Sequence, residues 1–352
     1  MTHTLAKWPQ LYSGQWAAGH CQGIAVDKAR GWVYFSFTTM LVKTDLAGRL
    51  LGTVTGLMGH LGCIAFNEAD GLLYGSLEYK NDAIGQNILK ALGSSAQFSD
   101  GFYIVLFDGR KIDRLNLDAC HDGVMTCVYL KTVLDDFKAQ VSCGGKTYPH
   151  RHGCSGIDGV TFAPIPGGGP RRLLVAYGVY SDVDRPDNDY QVILSYDPAH
   201  WPAMALPLSQ AHMHTQGPAA PNETFFLYTG NTTYGVQNME FDPATGNILL
   251  AVYKGKKAAF PNHSLYVIDG SAAPYEAPLQ GVDYRPRGQV LTLLGNGTTE
   301  STPGWDFPYG ATGLCALGDG AFYVSHDGRK ENLFHTHLKT YRWDGLTPLV
   351  EG

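Results

Sequence analysis

Two histidines in matching contexts give the first chemical reading. His20 opens the stretch His20-Cys21-Gln22-Gly23-Ile24-Ala25-Val26-Asp27, and forty residues later His60 opens His60-Leu61-Gly62-Cys63-Ile64-Ala65-Phe66-Asn67 in the same register. Tyr148-Pro149-His150-Arg151-His152 places more imidazoles ahead of a third such stretch, and Gln22 and Gln237 hold equivalent positions in theirs. Three imidazoles and an amide oxygen suit a divalent transition ion such as manganese, iron or zinc. His20, His60, His152 and Gln237 are therefore the expected ligands. A competing reading has the repeated histidines simply hydrogen-bonding neighbouring backbone.

Other polar groups cluster near the same positions. Glu78-Tyr79-Lys80-Asn81-Asp82 combines acids, an amine and an amide directly after an apolar segment, where polar groups are costly unless paired or used. His326-Asp327-Gly328-Arg329 offers an imidazole, an acid and an anion anchor, although an Asp-Gly turn explains its middle two residues more cheaply. Lys80, Tyr253 or His326 would serve as base and Arg329 as carboxylate anchor. Gln22, Glu78, Asp158, Asp182, Asn238 and Tyr309 would contact substrate. Asp182 lies in the acidic run 181–189, which lacks the glycine and terminal glutamate of an EF-hand and reads as a solvated loop. His335 and His337 alternate on a strand and read as peripheral. No G-x-S-x-G elbow or phosphate-binding loop is present.

These residues need a scaffold that brings distant segments together, and the repeat supplies one. Each His-led stretch runs into a glycine and a second strand, Gly31-Trp32-Val33-Tyr34 or Gly71-Leu72-Leu73-Tyr74. The 43 glycines, 20 tyrosines and 16% charged residues suit short strands and tight turns better than helices. Repeats of one antiparallel unit imply radial or solenoid repetition. The expectation is an all-β, five-bladed propeller forming one domain over 1–352, with blades at 20–57, 60–132, 154–230, 235–295 and 310–345. The strand at 8–15 would complete the fifth blade and close the ring. A short helix is expected at 83–92 inside blade two, and 133–153 reads as a polar loop. Six blades, with 102–133 counted separately, is the rival. In such a ring the loops leading into inner strands and those joining second to third strands share one mouth.

A formal charge of −6 and the lack of any basic block argue against nucleic acid as partner. No run of about 18 apolar residues suggests a membrane span, and residues 1–8 have no apolar leader core. A cytoplasmic setting is expected. Seven cysteines include two pairs, Cys120/Cys127 and Cys143/Cys154, spaced so that disulfides are conceivable. The blades resemble β-propellers in general. In ligand types alone, the His and Gln set is similar to that of propeller-fold oligogalacturonate lyases. That resemblance implies a metal-assisted β-elimination on a carbohydrate or uronate-like small molecule or oligosaccharide. A metal-free hydrolase using Asp158, Glu78 and Asp182 is the first alternative, and a non-catalytic sugar-binding propeller the second.

Overall fold

The computed structural model describes residues 8–95, 99–345 and 349–352, so the first seven residues, part of the segment read as lacking a leader, lie outside it. Five antiparallel blades surround a central channel. Blade one is Cys21–Asp27, Trp32–Phe37, Met40–Asp45 and Leu50–Thr55, from channel to rim. Blade two is His60–Asn67, Leu72–Tyr79, Gly101–Phe107 and Met125–Tyr129. The six-blade rival fails here, because Gly101–Phe107 pairs with Leu72–Tyr79 and with Met125–Tyr129 as one continuous ladder. Blade three is Cys154–Pro164, Arg171–Val179, Tyr190–Tyr196 and Glu223–Tyr228. Blade four has Thr233–Phe241, Ile248–Tyr253 and Leu265–Ile268, and blade five has Leu314–Gly318, Ala321–Lys330 and Leu333–Arg342.

The N-terminal strand closes the ring as expected: Leu11 pairs with Leu338 and Tyr12 with His337. Trp8 packs edge-on against Tyr323 beneath it, and the Tyr323 hydroxyl donates to the Pro9 carbonyl at 2.7 Å. A seam of serines joins neighbouring blades. The second strands carry Tyr34-Phe35-Ser36, Tyr74-Gly75-Ser76 and Tyr323-Val324-Ser325. The Ser36 hydroxyl donates to the Gly62 carbonyl, and Ser76 to the Asp158 carbonyl, each at 2.7 Å. Each bond ties a second strand to the inner strand of the next blade.

Three local expectations are revised. The stretch 133–153 is ordered as a helix, Lys131–Lys138, and a hairpin, Gln140–Cys143 with Lys146–Pro149. Buried Val133 and Phe137 on the helix's apolar face hold it to the core. The segment 289–294, inside the span expected to belong to blade four, is shared between two blades. Gln289 and Val290 pair in parallel with blade three, whereas Thr292 and Leu294 bond to Asp269 and Val267 of blade four. Finally, Asp327 and Gly328 lie within a strand and not at a turn. The hairpin continues to Glu331, which takes a positive φ of 56°, and Gly328 leaves room for the ring of His335 opposite. All seven cysteines are free thiols. Among the described residues no helix is long and apolar enough to cross a membrane.

Candidate functional site

The inner strands enter the ring irregularly, and that irregularity builds the site. Register shifts fall at Cys21/Gly23, Leu61/Ile64, Cys154/Gly156, Ile157/Val160 and Thr233/Val236, the mouth-side ends of the first four blades. Such bulges re-aim side chains out of the alternating pattern. Here they turn polar groups from four blades into one cavity of about 470 Å³, lined by His20, Gln22, His60, Glu78, Lys80, Ile84, Ser155, Ile157, Asp158, Gly178, Tyr234, Gln237 and Tyr253.

At its floor lies a buried charge cluster. Lys80 Nζ sits 2.6 Å from Glu78 Oε1 and 3.7 Å from Asp82, and donates to the Ser155 carbonyl at 2.8 Å. Burial works against the Lys80 charge, yet Glu78 and Asp82 hold its pKa above the ordinary lysine range. Burial pushes the Glu78 carboxyl up, opposed by Lys80 and by the Ile157 amide that donates to Oε2 at 3.1 Å. An unpartnered charge at this depth costs about 3–5 kcal/mol, so the pair persists as a unit. Asp82 also caps the helix Ala83–Ala91, accepting from the Ile84 and Gly85 amides at 3.0 Å each. The helix thereby sets Ile84 into the cavity wall.

Asp158 is the counterpart of this pair. Its Oδ1 accepts only a long bond, 3.3 Å, from the Cys63 amide. Burial, reinforced by the charge of Glu78, pushes its carboxyl well above the carboxylate range. The two acids thus sit in unlike surroundings, one pushed toward its protonated form by burial and one salt-bridged, which is how paired carboxylates divide acid and base roles. Each acid lies against a glycine. A Cβ on Gly62 would come within 2.2 Å of Asp158 Oδ1, and one on Gly156 within 2.0 Å of Glu78 Oε2. His60 completes the floor, its Nδ1 3.6 Å from Glu78 Oε1 and without a hydrogen-bond partner. Burial, the Lys80 charge and His20 hold its pKa at about 3, so the ring is neutral. Burial and nearby Asp158 push the Tyr253 hydroxyl up to about 12.

Eight of the residues expected from sequence meet here: His20, His60, Gln237, Lys80, Tyr253, Gln22, Glu78 and Asp158. Six do not. His152 is buried in blade three, its Nδ1 3.1 Å from the Tyr284 hydroxyl and its ring against Phe226, so the four-ligand metal set is not assembled. Asn238 is a channel staple, donating to the Gln22 and Ala311 carbonyls at 2.9 Å each. Asp182 closes its own exposed turn by accepting from the Asp184 amide. Arg329 caps the blade-five hairpin through the Glu331 carbonyl and Asn332. His326 is held by the Tyr341 hydroxyl at 2.9 Å and stacks on Tyr309, both outside the cavity lining. Among the described residues no group of three or more His, Cys, Asp or Glu side chains is arranged to hold a metal ion. Glu240 lies at the other end of the channel, accepting from the Ala316 amide.

No family model matches this chain, and no curated protein does. Solved structures similar to it include the apo soluble aldose sugar dehydrogenase of Escherichia coli, at 10% identity and a TM-score of 0.39, covering 94% of this chain and 98% of that one. An exo-β-1,3-galactanase from Clostridium thermocellum gives 12% and 0.41, covering 94% of this chain and 61% of that one. A family AA12 carbohydrate-active enzyme of Trichoderma reesei gives 12% and 0.39, covering 90% and 80%.

Five lining residues escaped the sequence reading: Ile84, Ser155, Ile157, Gly178 and Tyr234. Gly178 and Gly156 did carry a signal, since glycines within strand patterns mark bulges and close approaches. Tyr234 carried none, because sequence does not announce the positive φ of 64° at a bulky residue.

Proposed function

We propose that this chain is a hydrolase that cleaves a glycosidic bond in a neutral sugar at the channel mouth. The observation that carries this reading is the pairing of a buried, weakly hydrogen-bonded Asp158 with a salt-bridged Glu78 over one cavity. Asp158 gives its proton to the leaving oxygen as the C–O bond breaks. Water adds to the anomeric carbon and gives a proton to Glu78, so the net change is addition of one water across the bond. Lys80 steadies the Glu78 charge through the step. His60, neutral and lining the cavity, is placed to hydrogen-bond a substrate hydroxyl, as are the amides of Gln22 and Gln237. The floor holds two acids around one ammonium at Glu78, Asp82 and Lys80, which favours a neutral sugar over a uronate.

A metal-dependent lyase is a second reading, supported by His20, His60 and Gln237 lining the same cavity. The buried Lys80 ammonium lining the same cavity disfavours a divalent cation there. Product analysis separates the two. Incubation with neutral and uronide oligosaccharides, with and without EDTA, should release saturated reducing sugars and be indifferent to the chelator. An unsaturated uronide product that disappears with EDTA would replace the hydrolase by the lyase.

A further inference from the structure

The mouth has two chemically different sides. Blades two and three supply the acids and the ammonium, whereas blades four and five supply tyrosines. Tyr234 is 50% exposed, Tyr253 36% and Tyr309 39%. None is needed to fill the core, and Tyr234 is held at a positive φ that is uncommon for a bulky residue. Strain of that kind persists where the surroundings impose it.

The surroundings here do so. Thr233 donates from its hydroxyl to the Lys254 carbonyl at 2.9 Å, coupling the backbone beside Tyr234 to that beside Tyr253. Lys254 in turn pairs with Asp306 at 2.8 Å, which ties this corner to the segment carrying Tyr309. Tyr309 lies on the His326 ring with centroids 3.8 Å apart and planes within 29°, and the Tyr341 hydroxyl fixes His326. Tyr253 stands edge-on to Tyr234 at 6.5 Å. Gly310, next to Tyr309, packs against the strand that ends in Tyr253, since a Cβ there would come within 3.2 Å of the Ala251 side chain. The rim is thus a preorganised aromatic platform beginning at the cavity edge. Flat rings with hydroxyl tips suit the C–H face and hydroxyl edge of a pyranose.

We propose that Tyr253 and Tyr309 form a second sugar subsite, so that the substrate is an oligosaccharide with one ring in the cavity and the next on the tyrosine rim. This rests on the hydrolase reading for the position of the scissile bond, which then falls between the acids and the tyrosines. His326 is the positioning residue that holds Tyr309 flat.

The test is calorimetric titration of the Asp158→Asn protein with mono- to tetrasaccharides of the cello-, laminari-, xylo- and β-galacto- series. In at least one series, disaccharides should bind at least tenfold tighter than the monosaccharide. Tyr309→Ala should remove most of that gain and leave monosaccharide affinity unchanged. Tyr253→Ala should also reduce that gain, and more than Tyr253→Phe, which keeps the ring. Affinity independent of chain length in every series, absence of binding in all of them, or a gain untouched by Tyr309→Ala would each overturn the subsite. Should Asp158→Asn not fold, the same titrations on Glu78→Gln give the same readout. Chain-length-dependent binding without cleavage by the unsubstituted protein would sink the hydrolase and leave the subsite standing. Cleavage of simple aryl glycosides with no chain-length effect would do the reverse.

Discussion

At the level of single residues, the site depends on what is absent as much as on what is present. Asp158 reaches its position because Gly62 has no side chain, and Ser76 crowds the same point. A Gly62→Ala substitution should therefore displace the acid. The expected result is a loss of kcat of at least about 100-fold, with a stability loss of only about 1–3 kcal/mol, read by kinetics and urea unfolding. Full activity in this variant would contradict the placement of Asp158. His152 illustrates the opposite outcome, a residue that looked like a ligand and is structural. Burial holds its pKa at about 3, below the ordinary value near 6.5 of an unfolded chain. The unfolded state thus binds the extra proton between those values. The stabilising contribution is complete above pH 6.5 and is lost as pH falls toward 3, at up to about 1.4 kcal/mol per pH unit. His152→Asn suits the positive φ and cannot titrate there, so its stability should fall less steeply than the unsubstituted protein's over pH 6 to 4. Parallel curves would show that His152 does not carry this dependence.

At the level of elements, the blades were legible because strand period and glycine punctuation repeat. All four strands of blade one fell within its expected span 20–57, and the helix capped by Asp82 fell within one residue of its expected end. The revisions arose where tertiary pairing overrode local signals. Asp327-Gly328 looks like a turn, yet ten cross-strand pairs carry the hairpin past it. Gln289–Leu294 looks like one strand, yet two blades compete for its backbone, and each takes the half it reaches. The closing strand is only Leu11–Tyr12 by ladder count, but it covers an edge that would otherwise stay open. Leu11 is buried against blade five, so Leu11→Asp should cost about 2–5 kcal/mol and lower the midpoint of thermal unfolding by several degrees. An unchanged midpoint would mean the ring does not depend on that strand.

Across the whole molecule, five similar blades support one unequal mouth. Eight of the thirteen lining residues were readable in advance, four of them because equivalent positions in a closed ring must converge. His20, His60, Gln22 and Gln237 came from that symmetry. The remainder depends on bulges, on the Asp82-capped helix and on left-handed Tyr234, none of which follows from period alone. Symmetry also misled, since it promoted His152, which the ordered 131–153 insertion draws into the blade-three core. The central claim is that Asp158 and Glu78 act as an acid pair, and one measurement tests it directly. That is kcat/KM against pH for the unsubstituted protein, Asp158→Asn and Glu78→Gln on the most reactive neutral oligosaccharide. The account predicts losses of about 10²–10⁴-fold in both variants. It also predicts an alkaline limb in the unsubstituted protein well above the ordinary carboxylate range, because burial pushes the Asp158 carboxyl up. Variants that retain full activity, or a limb at the pKa of an ordinary aspartate, would contradict it.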